Sequence, residues 1–176
     1  KPQSGRVAVV VPHGVLFRGG AEGRIRQRLI DDNLLDAVVG LPGNLFPTTS
    51  IPVAILLFDR ARERGGEREA EDQVLFVDAS NQFSPAKTKN QMEESHIQHI
   101  VAAVRARQGV DKFASLVSRA TIAENDYNLN IPRYVDTYEE EAQIDLAETE
   151  REIDRLAAEL AAVRMKMKQH LRELGL

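Results

Sequence analysis

"LLDAVVGLPGNLFPTTSIPVAILLFDR", residues 34–60, decides the fold. Its two ends, LLDAVVGL (34–41) and PVAILLFDR (52–60), are continuous apolar runs of the kind that form strands buried on both faces. Only the loop 42–51 separates them, and it holds Asn44, Thr48, Thr49, Ser50 and two prolines. A connection that short cannot return along a sheet to begin a parallel strand, which takes a crossover of about a dozen or more residues. It can make a hairpin, so the strand at 52–60 is expected to run antiparallel to the one at 34–41. A large aromatic, Phe46, stands in the middle of this polar loop, in a chain with only 5% aromatic residues.

Upstream, RVAVVVP (6–12) reads as another strand buried on both faces and ended by Pro12. A turn with Gly14, Gly19 and Gly20 follows. Ala21, Ile25 and Leu29 then share one helical stripe, with Arg24, Arg26 and Arg28 on the remaining surface. Strand, helix and strand at this spacing predict a right-handed crossover, with 6–12 and 34–41 parallel. Downstream, ARERGGEREAED (61–72) reads as a solvated loop tolerant of length changes, and QVLFVDAS (73–80) as a fourth strand. A helix is expected from Asn90, with Ile97, Ile100, Val101 and Val104 on its apolar face. Residues 121–138, rich in Asn and Tyr, are expected to be mostly irregular, with Tyr127 and Tyr134 as packing anchors. From there the pattern changes. Leu146, Ile153, Leu160, Met167 and Leu174 recur every seven residues, with Leu156 and Val163 interleaved, as in a coiled-coil seam. Such a seam must be buried, either on the helix near 92–107 or on a partner.

The totals narrow the class. The chain has 176 residues, 43% hydrophobic and 28% charged, enough for one domain with a core and an appendage. It has no cysteine, which excludes disulfides and thiolate metal sites. VAVVV (7–11) and VAILLF (53–58) are far too short to span a bilayer, and KPQSGR is not a signal peptide. The expectation is a cytoplasmic protein, or a piece of one. A net charge of −4 lacks the basic balance of an autonomous DNA-binding domain, so most phosphate contacts would have to come from elsewhere.

The sheet order, parallel strands with one late reversal, is not the plain dinucleotide-binding order. The residues carry more. VAVVVPHGVLFRGGAEGRIRQRLIDDNLLDAVVGLPGNLFPTTSIPVAILLF (7–58), VLFVDAS (74–80), HIQHIV (96–101) and NDYNLNIPRYVDT (125–137) stand in one order and spacing. In that order they resemble the modification (methylation) subunit of type I restriction-modification systems, a family of adenine-N6 DNA methyltransferases. The resemblance covers roughly residues 5–138.

It implies an α/β chain: the C-terminal part of a Rossmann-like, S-adenosylmethionine-dependent methyltransferase sheet over 1–120, an irregular joint over 121–138, and a helical, coiled-coil-like docking tail over 139–176. The family's cofactor-binding Gly loop and its Asn-Pro-Pro-aromatic motif are absent from these residues. The donor pocket and the catalytic motif are therefore expected upstream of Lys1, with no catalytic residue in this fragment, and the fragment alone is expected to be inactive. The resemblance also implies partners: DNA, the specificity subunit bound through Ile153, Leu156, Leu160, Val163 and Met167, and a restriction subunit.

By the same resemblance Phe46 stacks on a target adenine flipped from the duplex. The alternative is that its ring folds back to plug the sheet end. His13, Phe17 and Arg18 follow a parallel strand's C-terminal end, where open α/β sheets bind ligands. They face the pocket or the DNA, or else His13 caps the turn and Arg18 is simply solvated. Gly19–Gly23 is a weak candidate for an anion nest. His96 and His99, three apart on a helix, lack an evident third ligand, and no metal site is expected. Glu139–Glu141 and Asp31–Asp32 read as solvated charge. The competing class of function is a helical interaction module on a non-catalytic α/β scaffold.

Overall fold

Strands β2 (Leu35–Gly40) and β4 (Gln73–Asp78) pair in parallel inside a five-stranded sheet. Both are apolar runs, and both are covered on their two faces. In β4, Val74 and Phe76 point into one cluster with Leu16, Ile30, Leu129, Ile131 and Val135. Leu75 and Val77 point into the other, with Ile100, Ala103 and Phe113. This alternation is what a pleated strand buried between helical layers requires. The computed structural model describes residues 1–137 and 146–174.

The remaining elements of the sheet are β1 (Arg6–Pro12), β3 (Val53–Asp59) and β7 (Ala114–Ser118), in the order β1-β3-β2-β4-β7. Strand β3 is antiparallel to β2, as the length of the loop 42–51 predicts, and also antiparallel to β1. Strands β1 and β2 therefore run the same way with a reversed strand between them. Helix α1 (Gly20–Asp31) and helix α3 (Arg119–Glu124) contribute to one face, and α2 (Glu94–Ala106) covers the other. A two-residue hairpin, β5 (Ser84–Pro85) and β6 (Asn90–Gln91), stands apart from the sheet.

Five readings are corrected. Strand β1 is not buried on both faces: among the described residues it pairs only with β3, and Val7 and Val10 are 56% and 55% exposed. An apolar run signals the need for burial but not whether the described residues satisfy it. On α1, Ile25 is exposed whereas Arg26 is buried, because its guanidinium donates to the carbonyls of Val15, Arg18 and Tyr127 at 2.9, 3.0 and 2.6 Å. Residues 90–91 belong to the hairpin, so α2 begins at Glu94, and Ile97 on its expected apolar face is exposed.

The segment 61–72 is not a free loop. Arg62 is 0% exposed and Arg68 joins it in an ionic cluster. Nor is 121–138 a mere joint. Residues 119–124 are helical, and Leu129, Ile131 and Val135 enter the core. Tyr127 and Tyr134 both pack against the core, as expected; the Tyr134 ring meets Phe76 at 4.3 Å and its hydroxyl donates to the Asn128 carbonyl. Burial holds that hydroxyl's pKa above the ordinary tyrosine range. Strand β7 is an element that the reading of the sequence did not include.

The chain divides into two units, residues 1–138 and 139–176. Among its described residues the second holds one long helix, α4 (Leu146–Glu173). Its seam residues Ile153, Leu156, Leu160, Val163 and Met167 are all exposed. Glu139–Glu141 lie outside the described residues.

Candidate functional site

The strands that run in one direction end together. Pro12, Gly40 and Asp78 close β1, β2 and β4 at one rim of the sheet, and Val53 opens the reversed β3 there. The Ala79 N–H donates to the Gly40 carbonyl at 2.9 Å, which holds the β2 and β4 ends side by side. Three segments leave from this rim: 13–18, 41–52 and 79–93. The carboxyl end of parallel strands is where open α/β sheets place their ligands.

The loop 41–52 is built as a ladder at its base and a tight turn at its tip. At the base, Leu41 N–H donates to the Val53 carbonyl at 2.9 Å. Higher up, Asn44 N–H donates to the Ser50 carbonyl at 3.0 Å. At the tip, Thr49 N–H reaches back to the Phe46 carbonyl at 3.4 Å, closing a four-residue turn. Pro47 occupies the second position of that turn, where its fixed φ is already suitable. Asn44 takes a left-handed φ of 59°, a conformation asparagine tolerates better than most residues. The outcome is that Phe46 is carried at the tip, 40% exposed and outside both buried clusters.

His13 stands at the foot of the same loop. Its Nε2 lies 3.2 Å from the Val53 carbonyl, and since a carbonyl only accepts, that nitrogen carries the proton. Phe17 is half exposed. Arg18 folds over Gly14, so that a Cβ there would stand 2.8 Å from the guanidinium carbon, and it pairs weakly with Glu22 at 3.9 Å. The structure therefore places His13 and the Phe46 loop together through Val53. For Phe17 and Arg18 it gives an accessible position at the rim. Gly19 and Gly20 open α1 with clear space beside them, and Gly20 has a φ of 67°.

The two helix histidines have structural partners. His96 Nδ1 accepts the Glu93 N–H at 3.1 Å, forming a capping box at the start of α2. The His99 ring stacks on Phe113 at 4.2 Å, and its Nδ1 faces the Gln82 side-chain oxygen. Among the described residues no cluster of His, Asp and Glu has the makings of a metal site, and no helix is long and apolar enough to cross a membrane.

Sequence reasoning missed the other half of the site. Lys89 and Asn90, on the β5–β6 hairpin, hydrogen-bond into the loop 41–52. Nothing local marks them, because the bonds join residues more than forty positions apart.

Comparison with known proteins places this architecture. Residues 1–143 match the family model described as N-6 DNA Methylase. The MpnII methylase subunit, a type I restriction enzyme component of Mycoplasma pneumoniae, is 33% identical over 98% of this chain and 31% of its own length. The MjaVIII methylase subunit of Methanocaldococcus jannaschii is 34% identical over 97% of this chain and 29% of its own length. The chain thus spans about a third of the length of these relatives. Among solved structures, the type I restriction-modification methyltransferase subunit of Streptococcus thermophilus superposes with a TM-score of 0.68 at 48% identity, covering 75% of this chain and 27% of that one. The EcoKI M protein superposes with a TM-score of 0.60 over 94% of this chain and 41% of that one, a likeness of fold at 22% identity. The family model over residues 1–143, with relatives above 30% identity along nearly the whole chain, identifies it as a member of the N-6 DNA methylase family, similar to type I methylase subunits.

Proposed function

We propose that this chain forms the target-base side of an adenine-N6 DNA methyltransferase, the modification subunit of a type I restriction-modification system. The observation that carries the proposal is Phe46: an aromatic ring displayed at the ligand-binding rim of an α/β sheet, where burial would have been the ordinary fate. An adenine inside a duplex presents its N6 in the stack, so a methyltransferase must extrude it. A ring waiting at the rim replaces part of the lost stacking, an interaction worth about 1–3 kcal/mol per base. His13, Phe17 and Arg18 line the approach, and His13 holds the reversed strand at the foot of the loop.

S-adenosylmethionine, the donor that enzymes of this family use, supplies the methyl group when bound. The rim described here does not fit it. Its strand-end carboxylate, Asp78, is turned into its own loop, where it accepts the Ser80 N–H at 2.9 Å. We place the donor pocket and the catalytic motif in residues outside this chain, and the open edge of β1 with its exposed valines supports a sheet that continues there. Alone, the fragment is then inactive.

The exposed seam of α4 supports the docking role. Ile153, Leu156, Leu160, Val163 and Met167 suit a helical partner, which we assign to the specificity subunit, with DNA and a restriction subunit completing the assembly. The same seam is what a pure interaction module would display, so the experiment must separate the two readings. In the full-length subunit, Phe46→Ala is expected to lower the methylation rate about tenfold or more, the equivalent of about 1.4 kcal/mol or more of transition-state binding. Cofactor affinity is expected to stay unchanged. Full activity in Phe46→Ala would leave only the module reading.

A further inference from the structure

The loop that carries Phe46 has three backbone hydrogen bonds of its own between residues 41 and 53. It is tied to residues 88–90 by five more. Asn90 N–H donates to the Asn44 carbonyl at 3.0 Å, and Asn90 Nδ2 to the Gly43 carbonyl at 2.9 Å. Asn44 Nδ2 donates to the Thr88 carbonyl at 3.3 Å. Lys89 Nζ donates to Asn44 Oδ1 at 2.9 Å and to the Thr49 carbonyl at 3.2 Å. Asn44 thus uses its N–H, its carbonyl and both side-chain polar atoms, which pins its left-handed backbone.

The two acceptors of Lys89 lie on opposite limbs of the loop, two residues before Phe46 and three after it. One half-buried ammonium therefore staples the limbs together beneath the turn that lifts the ring. The staple is itself anchored. The β5–β6 hairpin joins the end of β4 to the start of α2, where Ser84 Oγ donates to Glu93 Oε1. An exposed loop tip would otherwise be free to swing, and a ring that swings stacks on a base only part of the time.

We propose that Lys89 is a positioning residue for base stacking: it sets where Phe46 stands without touching the substrate itself. The proposal rests on the reading of Phe46 as the base contact. Only a side chain with several donors and enough reach bridges both carbonyl-bearing limbs, so arginine can replace it and methionine, of similar length but with no donor, cannot.

The test uses the full-length methylase in its assembled complex with two duplexes. One carries the mapped target adenine, on which kcat is read. The other carries 2-aminopurine in its place, which has no 6-amino group to methylate and reports extrusion and stacking by its emission. Lys89→Met is expected to lower kcat about tenfold, within the range known for misplacing a group by about 1 Å. The melting temperature and the KM for S-adenosylmethionine stay at their wild-type values. Aminopurine emission rises, as it does in Phe46→Ala, because the extruded base loses its stacked ring. Lys89→Arg restores both kcat and the quenched emission. The double variant Lys89→Met/Phe46→Ala is no slower than Phe46→Ala alone, since the staple acts through that ring.

Wild-type emission and rate in Lys89→Met beside a defective Phe46→Ala overturn the staple and leave the base-contact reading standing. So does a double variant in which the two losses multiply. A fully active Phe46→Ala overturns the base-contact reading, and the staple with it.

Discussion

Replacing Asp36 with Asn is expected to be among the most damaging isosteric changes in the first unit. Asp36 is the extra residue where the β2–β3 register shifts, a bulge that re-aims its side chain. Its Oδ1 accepts from Arg107 at 2.7 Å, Arg68 at 2.9 Å and Arg62 at 3.2 Å. Glu71 and Asp59 complete the cluster, and Arg62 within it has no exposure and an Nε without an acceptor. Burial pulls the pKa of Arg62 down, so its charge needs the acidic partners around it. Asparagine keeps the shape and removes the charge, so the three guanidinium groups that Asp36 held are left with Glu71 and with Asp59, which also takes Arg6 at 2.9 Å.

Breaking a buried pair from one side costs about 3–5 kcal/mol, because the other charge stays enclosed and uncompensated. Arg68 and Arg107 are each one-fifth exposed and Glu71 two-fifths, so water screens part of the loss and the lower end applies, about 3 kcal/mol. That is a large share of a typical stability of about 5–15 kcal/mol. At about 3–4 °C per kcal/mol for a unit of this size, the melting temperature falls by about 10 °C. Urea unfolding followed by circular dichroism checks it, as a lower midpoint at unchanged slope. The control is Asp72→Asn, which breaks the exposed Arg119 pair at 2.8 Å and is worth under about 1 kcal/mol. Equal midpoint shifts in the two variants would refute the reasoning.

Other consequences follow from single contacts. Gly40→Ala puts a Cβ 2.6 Å from the buried Ile131 Cδ1 and should cost about 1–3 kcal/mol in urea unfolding, with Ile131→Val recovering part of it. On acidification, Asp59 and Glu71 should contribute a loss of stability. Burial pushes Asp59 up, but the Ala61 N–H, Arg68 and Arg6 outweigh it and hold its pKa below the usual carboxylate range; Glu71 is lowered chiefly by its bonds from Arg68. Groups depressed in the folded state stabilise it above their unfolded values, near pH 4, and that contribution disappears as pH falls through the folded values, so a thermal-melt series should drop below about pH 4. On α4, Leu160→Glu in the middle of the seam should abolish co-purification with the specificity subunit while the rest of the chain melts as before; retained binding would remove the seam from the interface.

The sequence determined what depends on neighbours along the chain. Predominantly apolar runs at 35–40, 53–59 and 74–77 had nowhere to go but a covered sheet, and the length of the loop 42–51 set the direction of β3. The same loop announced its aromatic, because a ring among Asn, Thr and Pro stands out locally. Tertiary structure decided everything that depends on distant acceptors. Arg26 is buried because the Tyr127 carbonyl, 101 residues away, accepts a hydrogen bond from it, and Arg62 because Asn33, Asp36 and Gln73 do the same.

Lys89 looks like any solvated lysine until the hairpin sets it under the Phe46 turn. The open edge of β1 was equally invisible, since an apolar run reads the same whether or not a neighbour covers it. A chain's local pattern fixes which groups need partners; only the fold determines which of them find one.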